Sequence, residues 1–124
     1  MVKKLSFRRN IKYAYAGIKY CILNEPHMRI HLLASLLSIL LGYILEISLI
    51  EWILILLAIC LVLVLEIVNT AVESIVDMYT KEFHPLAKTA KDLAAGAVLT
   101  AALCALIVGA VIFLPKIIVI ILYL

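Results

Sequence analysis

Three carboxylates and one amide lie on a single face of the helix that the sequence predicts over residues 66–77. Glu66, Asn69, Glu73 and Asp77, here called the polar stripe, fall within about 80° of one another at roughly 100° per helical residue. Acids are unfavourable in an apolar segment, and like charges one turn apart repel each other. The stripe therefore needs a cation, for which Mg²⁺, lysine and protons are candidates. Mg²⁺ takes oxygen ligands, often one or two carboxylates plus substrate phosphates.

Two other interpretations of the polar stripe remain open. Its end at Asp77 could extend into water, where the acids would simply be solvated. The acids could instead relay protons or cations, a common role of ionisable groups inside membranes. Simple solvation does not suit Glu66, because that residue directly follows the apolar run Leu61–Leu65.

The segment after the stripe, residues 79–92, contains side chains that suit phosphate groups. Lys81, Lys88 and Lys91 lie in it, and lysines bind phosphate as point charges. Carboxylates for a metal and lysines for phosphate favour phosphoryl transfer from a nucleotide, in which catalysis is mostly positioning and charge stabilisation. The four glycines form neither of the common phosphate-binding loops, G-x-x-x-x-G-K-[ST] and G-x-G-x-x-G. A kinase of this sequence must therefore be of an unrelated type.

The composition predicts that an integral membrane protein holds these residues. The chain has 124 residues, 67% of them hydrophobic and 15% charged, and its mean hydropathy is +1.22. Soluble domains are about 45–50% apolar and about 25% charged. A soluble fold would lack the polar surface to cover its core. Disorder is excluded because disordered chains are poor in apolar residues and rich in charge. The three cysteines match no metal or redox spacing, so we expect them to be buried.

We expect an all-α chain, residues 1–124 forming one domain, with an amphipathic surface helix and three transmembrane helices. The surface helix has basic and apolar arcs, which is typical of a helix lying in the membrane interface. About 20 residues cross the hydrocarbon core. The predicted segments are the surface helix 6–24, the spans 30–50, 52–78 and 93–115, and a connection at 79–92.

Basic residues predict the orientation of the spans. Residues 1–31 carry seven basic side chains and one acid, whereas residues 46–51 carry two acids and no base. The positive-inside rule then places the amino end and residues 79–92 in the cytoplasm. The basic segment suits an anionic membrane surface, so we expect no nucleic-acid partner. All acids of the stripe lie toward the cytoplasmic side, which favours an enzyme over a transporter.

Small residues repeat along the third predicted span. Ala97, Ala101, Ala105 and Gly109 are four residues apart, and such stripes let helices approach closely in a bilayer. Three helices are too few to enclose both a nucleotide and a lipid, so we expect the chain to form oligomers.

The stripe and the segments around it resemble a known family. EIVNTAVESIVD at 66–77, EFHPLAKTAKDLAAGAVL at 82–99 and AGIKYCILNEPHMRIHL at 16–32 closely resemble the prokaryotic diacylglycerol kinase / undecaprenol kinase family. The form N-E-x-x-x-R-I-H is similar to its Gram-positive, undecaprenol kinase-like branch. Proteobacterial diacylglycerol kinases usually carry an acid near the position of His31, which favours undecaprenol as the acceptor here.

The resemblance implies a homotrimer of membrane helices with sites between subunits. It implies transfer of the ATP γ-phosphoryl group, with Mg²⁺, to a lipid hydroxyl. Undecaprenol would give undecaprenyl phosphate, and diacylglycerol, giving phosphatidic acid, is the alternative acceptor. The alternative from another class is a small membrane scaffold or cation-handling subunit.

The resemblance also assigns roles to individual residues. Glu66 corresponds to the base that takes the hydroxyl proton, and it would bind the lipid substrate together with Asn69. Glu25 and Glu73 correspond to metal ligands. A family arginine near the amino end has no counterpart, because Ser6 takes its place. The positions that correspond to nucleotide contacts are Tyr13, Glu25, Glu73, Asp77, Glu82, Phe83, His84, Lys91 and Asp92, and Arg8 or Arg9 would replace the missing arginine.

Three of these positions also have simpler interpretations. Glu25 could form an ion pair with Arg29, one helical turn further on. His84 could be a polar loop residue, and His31 could be an interfacial residue at the end of a span.

Overall fold

The protein, described here over residues 7–123 of a computed structural model, consists of four α-helices joined by short connections. Three of them, α2 to α4, are long and apolar enough to cross a membrane. The expected all-α membrane fold is confirmed for the described residues, and residue 6, the predicted start of the surface helix, lies outside them. The helices are α1 (Phe7–Asn24), α2 (Pro26–Ile44), α3 (Leu49–Tyr79) and α4 (Pro85–Leu122).

The helix α2 begins earlier and ends earlier than the predicted span of residues 30–50. Pro26 occupies the first helical position, where its missing N–H is not needed, and Glu25 before it is extended. Glu46 closes the other end, because its φ of 48° lies in the left-handed region that terminates helices. The break between α1 and α2 is therefore a single extended residue.

The helix α3 begins at a capping box. The backbone N–H of Ser48 donates to Glu51 Oε2 at 2.7 Å, and the Glu51 N–H donates to Ser48 Oγ at 3.3 Å. These two bonds satisfy N–H groups that the helix leaves without partners. They explain why α3 begins three residues before the predicted span 52–78 and includes Glu51.

The helix α4 is longer than the predicted span 93–115 at both ends. It begins at Pro85, so only residues 80–84 of the predicted connection 79–92 are non-helical. It also continues through Pro115, although proline removes a hydrogen bond to the carbonyl of the residue four positions earlier. Phe113 and Ile117, on either side of Pro115, pack into the apolar core and hold the helix in line.

The core lies mainly between α3 and α4, which pack along much of their length, while α2 packs mostly on α3. Its densest part is near the α2–α3 turn, where Ile47 and Ile55 contact Ile112 and Phe113. Ala101 of the small-residue stripe is 4% exposed. The close approach expected of that stripe is thus realised at Ala101 within one protomer.

The outer surface of the helices is apolar. Many large apolar side chains are exposed in the protomer, which suits a surface in contact with lipid or with other copies of the chain. Cys21 is buried as expected, but Cys60 and Cys104 are exposed, so the expectation of three buried cysteines is wrong for those two. Both belong to the outward faces of the long helices.

Candidate active site

Glu66 is buried at the middle of α3, with 3% of its surface exposed. The hydroxyl of Thr70, one turn later, donates to the Glu66 carbonyl at 3.0 Å. The same hydroxyl lies 3.4 Å from Cys21 Sγ, near the end of α1. Cys21 and Met28 are the most deeply buried large side chains of the described part. The junction of α1 and α2 is therefore anchored against α3 beside Glu66.

His31 faces Glu66 from α2. Its Nε2 atom lies 4.0 Å from Glu66 Oε2, and the two side chains are 22% and 4% exposed. Sequence reasoning missed this relationship and took His31 for an interfacial residue. Helical periodicity within α2 or within α3 gives no signal for a contact between the two helices.

Asn69 and Glu73 form a second polar pair on α3, one turn closer to its carboxyl end. Asn69 Nδ2 donates to Glu73 Oε1 at 3.1 Å. The amide oxygen Oδ1 of Asn69 is buried and has no hydrogen-bond partner among the described residues. A buried oxygen without a hydrogen-bond partner is unfavourable. This oxygen is therefore available to coordinate a cation or to accept a hydrogen bond from a ligand.

The donor atoms beside Glu73 fit Mg²⁺ in part. Within residues 7–123, no group of three or more His, Cys, Asp or Glu side chains is arranged to hold a metal by itself. Mg²⁺ is commonly held by one or two carboxylates, with water and substrate phosphates completing its shell. The Glu73 carboxylate and the free Asn69 oxygen are donors of that kind, and Glu25 is half-buried between α1 and α2.

The alternative ion pair of Glu25 with Arg29 is wrong. Arg29 Nε donates to the Ile22 carbonyl at 3.0 Å, and Arg29 Nη2 donates to the Leu23 carbonyl. The guanidinium thus satisfies carbonyl groups at the end of α1 that have no partner in the helix. Glu25 forms no ion pair with any residue that the structure describes.

A polar cleft of about 280 Å³ lies where α3 ends and α4 begins. Its walls carry basic, acidic and aromatic side chains on both sides of the turn at residues 80–84. Six of the nine predicted nucleotide-binding residues line this cleft, namely Asp77, Glu82, Phe83, His84, Lys91 and Asp92, and so do Lys81 and Lys88. The turn therefore brings together residues that the sequence separates by up to fifteen positions.

Hydrogen bonds order the cleft. Lys91 Nζ contacts Asp77 Oδ1, which ties the start of α4 to the end of α3. Lys88 and Asp92 form a second ion pair, one turn apart on α4. His84 is the N-cap of α4, because its Nδ1 accepts from the Leu86 N–H at 3.3 Å. Its Nε2 edge is not used by that bond.

Tyr13 lies outside the polar cleft. It is on α1, where every described residue before Cys21 is exposed, and its own exposed fraction is 57%. Tyr13 does not line the cleft. One protomer therefore does not bring all nine predicted nucleotide-binding residues together.

An apolar groove of about 630 Å³ runs between α2 and α4, over residues of α3. Ala34, Leu41, Ala105 and Phe113 are typical of its walls. His31, which faces Glu66, also lines the groove, as do Ser35 and Ser38. The groove is thus an elongated apolar space that reaches the neighbour of the buried carboxylate.

Comparison with known proteins gives a family. The model of the family described as prokaryotic diacylglycerol kinase matches residues 12–113. An undecaprenol kinase of Bacillus subtilis is 42% identical over 110 residues, which is 89% of each chain. A diacylglycerol kinase of Synechocystis is 42% identical over 107 residues, which cover 86% of this chain but 61% of that relative. A diacylglycerol kinase of Escherichia coli is 35% identical over 104 residues, 82% of this chain and 85% of the relative.

Proposed function

The chain belongs to the prokaryotic diacylglycerol kinase family, and on this premise we propose that it transfers the γ-phosphoryl group of ATP to undecaprenol. It is a membrane lipid kinase. The position of Glu66 carries the proposal, because this carboxylate is buried beside His31, which lines an apolar groove. A lipid alcohol has the matching parts, a long apolar chain and one hydroxyl. Diacylglycerol is the alternative acceptor.

The preference for undecaprenol rests on two observations. The Bacillus subtilis relative named undecaprenol kinase matches over 89% of both chains, whereas the Synechocystis diacylglycerol kinase of equal identity is longer. The groove is lined almost wholly by apolar residues, with serine and histidine as its polar members. A polyisoprenoid alcohol needs little more than such a lining, because its hydroxyl is its only polar group.

In the proposed reaction, Glu66 accepts the proton of the acceptor hydroxyl. An alcohol is a weak nucleophile at neutral pH, and a carboxylate within hydrogen-bond reach can remove its proton as the bond to phosphorus forms. The groove would orient the hydrocarbon chain so that the hydroxyl reaches Glu66. The buried surroundings of this carboxylate exclude water, which would otherwise compete as the acceptor.

The polar cleft at the α3–α4 turn is our candidate for the ATP site. Lys81, Lys88 and Lys91 supply positive charge for the phosphates, and Phe83 offers an aromatic face. Mg²⁺ would be held by Glu25 and Glu73, the two positions that correspond to the family's metal ligands, and the unpartnered Asn69 oxygen lies on the residue that hydrogen-bonds to Glu73. The ion neutralises phosphate charge when it is bound.

We propose that the working unit is a homotrimer with sites shared between copies. Tyr13 corresponds to a nucleotide contact of the family but is exposed on α1 and does not line the cleft of its own protomer. A neighbouring copy could supply the missing contact. The amino end and the α3–α4 turn would face the cytoplasm of the bacterial cell membrane, in line with their basic side chains.

A direct assay tests the proposed function. The purified protein in detergent is supplied with γ-labelled ATP, Mg²⁺ and either undecaprenol or diacylglycerol, and kcat/KM is compared for the two lipids. We expect label in both lipids, with the higher kcat/KM for undecaprenol. Transfer to neither lipid would contradict the kinase proposal and favour a scaffold or a cation-handling subunit.

A matched pair of variants tests the role of Glu66. Glu66→Gln keeps the size of the side chain but removes the proton acceptor, so we expect kcat to fall by about 10²-fold or more. Glu46→Gln makes the same change in the exposed α2–α3 turn at the other end of the helices, and its kcat should stay unchanged. Equal activity of the two variants would remove Glu66 from the mechanism.

A further inference from the structure

We propose, on the premise of the proposed function, that His31 is a further catalytic residue, which holds the oxygen of the acceptor hydroxyl against Glu66. Its Nε2 atom and Glu66 Oε2 are 4.0 Å apart, with 22% and 4% of the two side chains exposed. His31 is also the one titratable side chain among the described residues that line the apolar groove. It is therefore in contact both with the groove and with the proposed base.

The separation of the two atoms suits an oxygen between them. A distance of 4.0 Å is too long for a direct hydrogen bond. An oxygen placed about 2.7–2.9 Å from both His31 Nε2 and Glu66 Oε2 fits between them, with an Nε2–oxygen–Oε2 angle of roughly 90°. A hydroxyl can donate one hydrogen bond and accept two. It can therefore donate to Glu66 and accept from His31 at the same time.

The proposed step balances in atoms and charge. The Nε2–H of His31 donates to a lone pair of the hydroxyl oxygen and retains its hydrogen throughout. The O–H bond of the acceptor breaks, and its proton goes to Glu66 Oε2. A second lone pair of the same oxygen forms the bond to the γ-phosphorus, while the bond from that phosphorus to the ADP oxygen breaks. Two fixed hydrogen bonds leave this lone pair as the nucleophile.

The local structure holds the His31 backbone in place. The Ser35 hydroxyl donates to the His31 carbonyl at 2.7 Å, so this polar group of the groove is already engaged. Met28, one turn earlier on α2, is 2% exposed and fixes that part of the helix against its neighbours. The imidazole can thus act from a rigid helix, which is what orientation of a reacting atom requires.

A different role for His31 would be a direct ion pair with Glu66. In that arrangement the imidazolium would hold the carboxylate in its charged form and the acceptor would not lie between them. Removal of the imidazole would then lower the melting temperature. A substitution that keeps an N–H donor at this position would restore no more activity than one that removes it. Variants that keep or remove the donor separate the two roles.

The experiment compares His31→Leu, which removes the donor, with His31→Gln, which keeps an N–H group close to the position of Nε2. His27, exposed one turn earlier on α2, provides matched controls as His27→Leu and His27→Gln. For each variant, kcat and KM are measured with undecaprenol and ATP, together with the melting temperature in detergent. We expect His31→Leu to lower kcat by about 10²-fold, with the KM for ATP unchanged. We expect His31→Gln to recover most of that loss and both His27 variants to match the parent protein.

Two results would overturn the role of His31. One is a kcat of His31→Leu within about twofold of the parent value, because loss of a group that orients the acceptor hydroxyl should lower kcat by about 10²-fold. The other is an equal loss of kcat in His31→Leu and His31→Gln. If His31→Leu does not fold, His31→Asn replaces it, because its amide is withdrawn from the Nε2 position.

Failure of the proposed function looks different. Absence of lipid phosphorylation by the parent protein would remove the kinase proposal itself. An active parent protein with an inactive Glu66→Gln and an unaffected His31→Leu would remove only the role of His31.

Discussion

Lys116 Nζ lies 3.2 Å from Glu51 Oε2, so the carboxyl-terminal part of α4 is joined to the first turn of α3. The two side chains are 31% and 26% exposed, and Glu51 is also the second partner of the Ser48 capping box. The pair lies one residue after Pro115, at the point where the sequence predicts that the third span ends. The ion pair therefore links α3 and α4, the two longest helices, at the end opposite the candidate active site.

The Lys116–Glu51 pair is expected to stabilise the fold without affecting catalysis. Lys116→Met should lower the melting temperature slightly, because the ion pair is lost while the apolar stem is retained. Thermal unfolding in detergent measures the change, and kinase activity at low temperature should match that of the parent protein.

A double-mutant cycle isolates the pair from the capping box. Glu51→Gln alone removes the charge and weakens the capping box. In the Glu51→Gln background, Lys116→Met should lower the stability by less than it does in the parent protein. Additive effects of the two substitutions would show that the contact contributes nothing.

Gly42 is expected to accept a side chain only if Ile47 and Trp52 shift. A Cβ at this position would lie 2.9 Å from Ile47 Cδ1 and 3.0 Å from Trp52 Cη2, inside the packed α2–α3 turn. Gly42→Ala should therefore destabilise the protein by about 1 kcal/mol, because overpacking against Ile47 and the Trp52 ring outweighs the helix preference of alanine. Gly96→Ala is the control, because a Cβ there meets nothing within 4 Å and alanine favours the helix. A melting temperature of Gly42→Ala equal to that of Gly96→Ala would contradict this packing.

The type and order of the helices follow from the sequence because long apolar runs and the basic surface helix carry that information locally. Helix ends were less predictable, since they depend on contacts. Pro115 predicts an end, yet the packing of Phe113 and Ile117 carries α4 through it. The capping box at Ser48 was present in the sequence and explains the earlier start of α3.

The candidate site shows the same division. Helical periodicity alone puts Glu66, Asn69 and Glu73 on one face of α3. The pairing of Asp77 with Lys91 depends on the turn between α3 and α4, and the approach of His31 to Glu66 depends on how α2 packs on α3. Sequence spacing carries no signal for such contacts between helices. The family resemblance identified most of the charged and aromatic residues of the polar cleft. Their positions relative to one another are known only from the folded structure.

Lys91 is expected to contribute to ATP binding from the polar cleft. Lys91→Met should raise the KM for ATP by about tenfold or more, because a charge-assisted hydrogen bond contributes about 1.5–3 kcal/mol. The KM for undecaprenol should change little. Steady-state kinetics with each substrate varied in turn measures both values.

The matched control for Lys91 is the same substitution at Lys116, which lies at the opposite end of the helices. Lys116→Met should leave the KM for ATP unchanged. If Lys91→Met instead raised only the KM for the lipid, the cleft would have to be reassigned from ATP to the acceptor.

Asn69 is expected to support Mg²⁺ binding through its unpartnered amide oxygen. Asn69→Ala should raise the Mg²⁺ concentration needed for half-maximal activity by about 10–100-fold, since it removes both that oxygen and the bond that orients Glu73. Asn69→Asp keeps an oxygen donor and should restore part of the Mg²⁺ response. Asn24→Ala is the control, because the exposed Asn24 side chain donates to the Tyr20 carbonyl and forms no other hydrogen bond within residues 7–123. An Mg²⁺ titration of Asn69→Ala that overlays that of Asn24→Ala would show that the free oxygen has no part in metal binding.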